Sequence, residues 1–122
     1  MQRDLRERTK KFALRVIKLY SSLPRRGDAQ VLGGQILKSG TSVGAHYREA
    51  CRAKSNADFV SKIEGALREL DETAYWLELI GQSEILPMKR LESLMLETEE
   101  LMAILVTIVK SVKAKGSKRA HY

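Results

Sequence analysis

His46 and Glu49 stand three residues apart, and Glu64, Glu69 and Glu72 follow a short way along the chain. Imidazole and carboxylate at helical spacing are the raw material of a di-metal centre, which in a bundle normally takes two Glu-x-x-His pairs and two further inward glutamates. Here the one internal histidine precedes its glutamate, and the other, His121, lies at the end of the chain. The set is incomplete, so the expectation is no metal and no cofactor. Ser39, Ser42 and Cys51 offer nucleophilic atoms, but no base-and-orienter set and no nucleophile elbow accompany them. No catalytic residue is assigned, and the chain is expected not to be an enzyme. Cys51 reads as a small residue packed beside a core.

The stretch "KSGTSVGAHYREACRAKS", Lys38 to Ser55, raises phosphate chemistry. A phosphate-cradling loop needs Gly-x-x-x-x-Gly-Lys-Ser/Thr after a buried strand, so that backbone N–H groups wrap the anion. Gly40 and Gly44 are only four apart, no Lys-Ser/Thr follows Gly44, and the preceding "QVLGGQIL" has helical character. On helical spacing Leu32, Ile36, Gly40, Val43, Tyr47 and Ala50 form one stripe, with Gly44 and Cys51 beside it. Each helical glycine costs about 0.5 to 1 kcal/mol relative to alanine, so the glycines need a compensating reason. Close approach of a neighbouring helix supplies one; a kink near Ser39 and Gly40 is the alternative.

The same segment is basic. Arg48, Arg52 and Ser55 fall on one face at helical spacing, and with Lys54 they form a candidate phosphate contact that Arg25 and Arg26 of the preceding turn would join. Against this stands pairing of Arg48 or Glu49 with Glu64, Asp71 or Arg68 of the next helix. The chain of 122 residues has a net charge of +7, unevenly spread: a basic first half, an acidic middle over residues 62–100, and a basic end in which Lys110, Lys113, Lys115, Lys118 and Arg119 carry the charge. Such asymmetry suits polyanions, or pairing within the fold or between subunits. No RNP motif, zinc finger or helix-turn-helix signature is present, so any nucleic-acid binding is expected to be weakly selective.

The elements that position these residues are helices. Leu5, Phe12, Val16, Leu19, Tyr20 and Leu23 recur at helical intervals, and "LPRRGD" then breaks the pattern with Pro24 and Gly27 and offers Asp28 as an N-cap. "SNAD" at Ser55 begins a third helix with a stripe of Phe59, Ile63, Ala66, Leu67, Leu70, Ala74 and Leu77. "GQSEILP" ends it, and Pro87 suits the first turn of a fourth, running through Leu91, Leu94, Leu101 and Leu105 to Val112. Helices are predicted at about 4–23, 28–52, 55–81 and 87–114, forming one bundle domain over 1–115 with a flexible basic tail at 116–122. Short links make an antiparallel up-down-up-down four-helix bundle the economical all-α fold. No strand pattern, secretory signal or apolar run long enough for a membrane span is found. The single cysteine fits a reducing compartment, and a cytoplasmic location is expected.

"SGTSVGA-YREA" followed by "DETAYWLEL" resembles the 23S rRNA intervening-sequence protein family, also called the four-helix-bundle protein family. Close similarity spans "KSGTSVGAHYREACRAKSNADFVSKIEGALRELDETAYWLELI"; the outer helices agree loosely. The resemblance implies a four-helix subunit assembling into a ring-like homopentamer with no established enzyme activity. Some members are encoded within ribosomal RNA genes. Distant relatives are accessory proteins of diversity-generating retroelements, which bind nucleic acid and a reverse transcriptase. His46 departs from the asparagine of many members.

Independently of the resemblance, Glu72, Tyr75, Trp76 and Leu79 project opposite the core stripe of the third helix. A cluster with a Trp and a Tyr suggests an interface, and Tyr75, Trp76 and Leu79 are the expected oligomer contacts. Leu14, Leu96, Ala103 and Ile104 also leave their stripes. The functional expectation is a non-enzymatic, homo-oligomeric scaffold presenting basic surfaces to RNA or DNA, with the avidity of several weak patches. The alternative is an adaptor that recruits a protein partner, such as a reverse transcriptase.

Overall fold

The computed structural model describes the backbone of residues 2–120 and the side chains of residues 5–116. Four helices follow one another: α1 (Gln2–Ser22), α2 (Gly27–Cys51), α3 (Asn56–Gln82) and α4 (Met88–Ala120). Among the described residues there is no strand. The chain forms an all-α helical bundle in which each helix packs against the next along its length, while α1 meets α4 only briefly.

The helix boundaries have local causes. Ser55 caps α3 as the sequence predicts, its hydroxyl accepting from the Asp58 N–H at 3.0 Å. Asp28 does not cap α2. The N-cap position is Arg26, which makes no side-chain cap, and Asp28 sits in the first turn, accepting from its neighbour Ala29 N–H at 2.8 Å and from Arg26 Nε at 3.0 Å. A carboxylate there still favours the positive helix end. Helix α3 closes with a Schellman motif: Ile85 N–H returns to the Ile80 carbonyl and Glu84 N–H to that of Gly81, both at 3.1 Å. Glu84 takes the left-handed conformation, φ 61°, that glycine usually supplies. Ile85 is buried behind it. Pro87 immediately precedes α4, its carbonyl accepting from Arg90 N–H at 2.9 Å. Helix α4 continues to Ala120, past the expected end at 114. Of the expected 116–122 tail, His121, Tyr122 and the side chains of Lys118 and Arg119 lie outside the described residues.

The glycines set how closely the helices approach. A Cβ on Gly40 would stand 2.6 Å from Val16 Cγ2, and one on Gly44 would stand 3.1 Å from Thr9 Oγ1. Gly33 is likewise covered by Tyr20 and Leu23. The helix α2 is continuous through Ser39 and Gly40, and these contacts are the close approach expected of its glycines. Gly65 of α3 lies under the His46 ring, and Gly81 under Met88 and Leu91 of α4. With Ser39 meeting Thr73 across α2 and α3 and Glu64 meeting Lys113 across α3 and α4, the contacts run in opposite order along neighbouring helices, which makes all three sequential pairs antiparallel.

The core follows the predicted stripes, with Phe12, Val16, Ile36, Val43, Tyr47, Ile63, Leu70, Leu77, Leu101 and Leu105 fully enclosed; Tyr20 of the α1 stripe is exposed instead, Leu32, Phe59 and Leu67 are half-buried, and Ile80, Ile85 and Leu86 join the core. Four hydroxyl residues share it: Thr9, Ser39, Thr73 and Thr98. Thr9, Thr73 and Thr98 donate to the carbonyls of Leu5, Glu69 and Leu94 one turn back, at 2.7 to 2.8 Å. Ser39 and Thr73 also meet across α2 and α3 at 2.8 Å. Satisfied this way, a hydroxyl can be buried without the penalty of a lost hydrogen bond.

Polar contacts close the brief seam between α1 and α4. Arg8 donates to both oxygens of Glu97, at 2.7 and 2.8 Å, and to Glu100 at 2.7 Å, while Arg15 reaches Ser93 at 2.8 Å. The hydrogen bond from Arg8, opposed by partial burial, holds the Glu97 carboxyl below the usual glutamate range; Glu97 in turn raises the guanidinium. Because the folded chain protonates Glu97 less readily than the unfolded chain, its stabilisation is complete above about pH 4.5 and is lost as pH falls through the lowered folded value. Glu97→Gln is therefore expected to cost roughly 1–2 kcal/mol at pH 7 and much less near pH 3. Urea midpoints of both proteins across that range measure the difference.

Candidate nucleic-acid interface

The expected phosphate-binding cations separate into two groups. Arg48, Arg52 and Lys54 lie at the C-terminal end of α2 and in the turn to α3, whereas Arg25 and Arg26 lie in the turn before α2. A 25-residue helix stands between them, about 37 Å at 1.5 Å per residue. The five residues do not form one patch, because α2 is a continuous rigid spacer. Arg26 is also engaged by Asp28 at 3.0 Å. Arg25 is exposed beside a depression it shares with Tyr20, Leu23 and Gln30.

At the other end the cations are less compensated. Half-buried Arg48 flanks a groove of about 320 Å³ between α1 and α2, opposite Lys10, over a floor of Ala13, Gly44 and Ala45. The small floor residues are the ones that let α1 and α2 approach. Among the described residues no carboxylate lies within ion-pair distance of Arg48, Arg52 or Lys54. The predicted pairing of Arg48 with Glu64 or Asp71 does not form: Glu64 faces α4 and binds Lys113 at 3.3 Å. Lys54 lines a second groove, about 310 Å³, with Ser55, Asn56 and Phe59 at the start of α3.

Beneath this surface Tyr47 is buried, and burial first, then a hydrogen bond with Cys51, pushes its phenol well above the usual tyrosine range. Cys51 is not packed beside the core as expected. It is exposed at the last residue of α2, on the rim of the groove it shares with Lys54 and Phe59. Ser39 and Ser42 are spent locally, on Thr73 and on the Lys38 carbonyl, and do not converge with Cys51.

The His46 ring lies between Glu49 Oε1, 3.4 Å from Nδ1, and Glu69 Oε2, 3.5 Å from Nε2. Nδ1 is enclosed against Gly65 without a hydrogen-bond partner. The two carboxylates address opposite nitrogens of one ring, so the trio links α2 to α3 rather than surrounding a point. Among the described residues no three His, Cys, Asp or Glu side chains gather as a metal-binding group.

Of the expected interface residues, only Tyr75 stands well out, at 53 % exposure. Trp76 and Leu79 are half-buried, and Trp76 packs against the core with its Nε1 enclosed and unpartnered. The helical projection placed the indole on the rear of α3; its length carries it round the shoulder of the helix. The Tyr75 ring leans on it with centroids 5.1 Å apart. Leu14, Ile17 and Val31 add exposed apolar side chains on α1 and α2, and Leu96 on α4.

Lys10, across the groove from Arg48, was not singled out in the sequence; antiparallel pairing of α1 with α2 brings the two together.

These features define a class, an all-α four-helix bundle. The profile described as 23S rRNA-intervening sequence protein matches residues 2–107, and the chain belongs to that family. It is similar to the crystal structure of a protein of unknown function from the S23 ribosomal protein family of Bacteroides thetaiotaomicron VPI-5482, at 38% sequence identity and a TM-score of 0.84. The match covers 89% of this chain and 97% of that one. No curated protein gives a match. No described helix is long and apolar enough to cross a membrane.

Proposed function

We propose that this chain is a non-enzymatic, homo-oligomeric scaffold, pentameric as the family resemblance implies, that binds RNA or DNA through basic surfaces with little sequence selectivity. The observation that carries the reading is the trio Arg48, Arg52 and Lys54, which among the described residues has no carboxylate within ion-pair distance. Cations left free of internal partners gain most from phosphates, by releasing the counterions condensed on the nucleic acid. One subunit offers few such contacts, and a ring repeating them at fixed spacing gains avidity. A cytoplasmic setting belongs to the same proposal.

Anisotropy titrations of a labelled single-stranded RNA and an unrelated duplex DNA test it. Both are expected to bind at low salt with similar affinity, weakening linearly with log salt; absence of binding to either at low salt rejects the nucleic-acid role.

A second reading, an adaptor recruiting a nucleic-acid enzyme such as a reverse transcriptase, is favoured by the exposed Tyr75 and by Leu14, Ile17 and Val31 on the outer faces of α1 and α2. Exposed apolar clusters are what partner surfaces bury. Recovery of one specific protein after nuclease treatment supports this reading. For the oligomer, Tyr75→Glu is a cleaner probe than Trp76→Glu, since Trp76 also packs on the core.

A further inference from the structure

The antiparallel order brings four chain segments to one end of the bundle: the start of α1, the end of α2, the start of α3 and the last part of α4. Thr9 lies against Gly44, His46 over Gly65, and Lys113 on Glu64, which fixes that arrangement. Over residues 5–11, 45–64 and 108–116 this end carries eleven Lys and Arg against four Asp and Glu. The opposite end, residues 17–35 and 76–92, carries five against four. The charge excess is therefore a pole, assembled by the fold from segments far apart in sequence.

Helix dipoles do not explain or cancel it. Two N-terminal and two C-terminal helix ends meet at this pole, so their partial charges offset one another and the side chains set the field. Internal pairing offsets part of it. Glu97 and Glu100 take Arg8, Glu7 lies 3.6 Å from Lys10, and Glu64 takes Lys113, while Arg52, Lys54 and Lys115 are exposed and have no carboxylate within ion-pair distance among the described residues. Along α2, Arg48 and Arg52 are one turn apart, roughly 6 Å along the axis, a spacing at which two cations follow one phosphodiester chain. The groove between Lys10 and Arg48 continues that line onto α1.

We infer that this pole, centred on Arg48, Arg52 and Lys54 and extended across the groove by Lys10, is where the phosphate backbone of a nucleic acid docks, and that the Arg25–Arg26 turn takes no part. The inference rests on the proposed nucleic-acid role and assigns it a location. Contacts of this kind position a backbone without reading bases, which is why little sequence selectivity accompanies them.

The test compares three proteins with the unmodified chain by anisotropy over a salt series, using a labelled single-stranded RNA of about thirty nucleotides and a duplex DNA. The variants are Arg48→Gln/Arg52→Gln/Lys54→Gln, the exposed pair Arg52→Gln/Lys54→Gln, and Arg25→Gln/Arg26→Gln. The pair guards against a folding defect from half-buried Arg48; circular dichroism melts and light scattering are read for each. For the triple variant a loss of roughly tenfold or more is expected, with the RNA salt slope falling by about 2, one increment of ~0.7 per lost phosphate contact. The exposed pair should lose an intermediate amount, and the turn variant should stay within about twofold.

If the unmodified chain binds and the triple and paired variants bind equally well, or the turn variant loses more, the location is wrong while the nucleic-acid role stands. A changed oligomer mass with unchanged RNA affinity would mean instead that the pole meets the acidic flank of another copy, and also overturns the inference. If the unmodified chain binds neither probe at low salt, the role and the location fall together.

Discussion

Gly40→Leu will destabilise the bundle by about 3 kcal/mol or more. Leucine favours helix over glycine, so on an open helix face the substitution would help by up to about 1 kcal/mol. Position 40 is not open. Even a Cβ would stand 2.6, 2.8 and 3.0 Å from Cγ2, Cγ1 and Cβ of Val16. Val16 is fully buried and β-branched, so it has no spare rotamer into which to retreat. The helices α1 and α2 must move apart, opening the contact between Thr9 and Gly44 as well. Gly34 is the internal control. Nothing lies within 4 Å of a Cβ there, so Gly34→Ala is expected to stabilise by about 0.5 to 1 kcal/mol. Guanidinium or urea unfolding of the two variants measures opposite signs if the glycine seam is packing. Equal, small effects would remove the reason for the glycines.

The second large effect is Phe12→Ala, expected to cost about 3–5 kcal/mol as transfer energy and cavity together. Phe12 is the largest apolar side chain that α1 places in the core, and it is 1 % exposed. Its loss matters more because α1 is held mainly from one side: it lies along α2 but touches α4 only slightly, with polar bonds from Arg8 and Arg15. Loosened from α2, the helix has little else to keep it, so local opening should outrun global unfolding. Hydrogen exchange should show faster exchange of α1 amides than of α3 amides in Phe12→Ala. Uniform acceleration through all four helices would contradict this picture of α1.

Much of the architecture was legible because each helix writes its core face at 3.6-residue spacing and Ser55 announces its own cap. The buried threonines were not. Thr9 fills the gap between Leu5 and Phe12, yet a hydroxyl looks polar in the sequence, and only its bond to the carbonyl one turn back makes the burial tolerable. Asp28 was misread because a carboxylate two residues inside a helix and one at its cap obey the same preference for the positive end. The ion pairs Arg8–Glu97 and Lys113–Glu64 depend on how neighbouring helices are inclined, which residue spacing does not encode.

The candidate site was half legible. Arg48 and Arg52 stand out at helical spacing with Lys54 close behind, but spacing along the chain does not show that the length of α2 separates them from Arg25 and Arg26. Trp76 marks a general limit of projections onto a helical wheel. They fix where a Cβ leaves the helix, and an indole reaches far enough from that point to join the core.

The proposed scaffold multiplies a basic surface by assembling copies of itself. The most direct test is size-exclusion chromatography with light scattering at low salt, with and without a single-stranded RNA. The expected result is a particle of five subunit masses that becomes heavier with RNA and loses it as salt is raised. A particle of one subunit mass, unchanged by RNA, would contradict it.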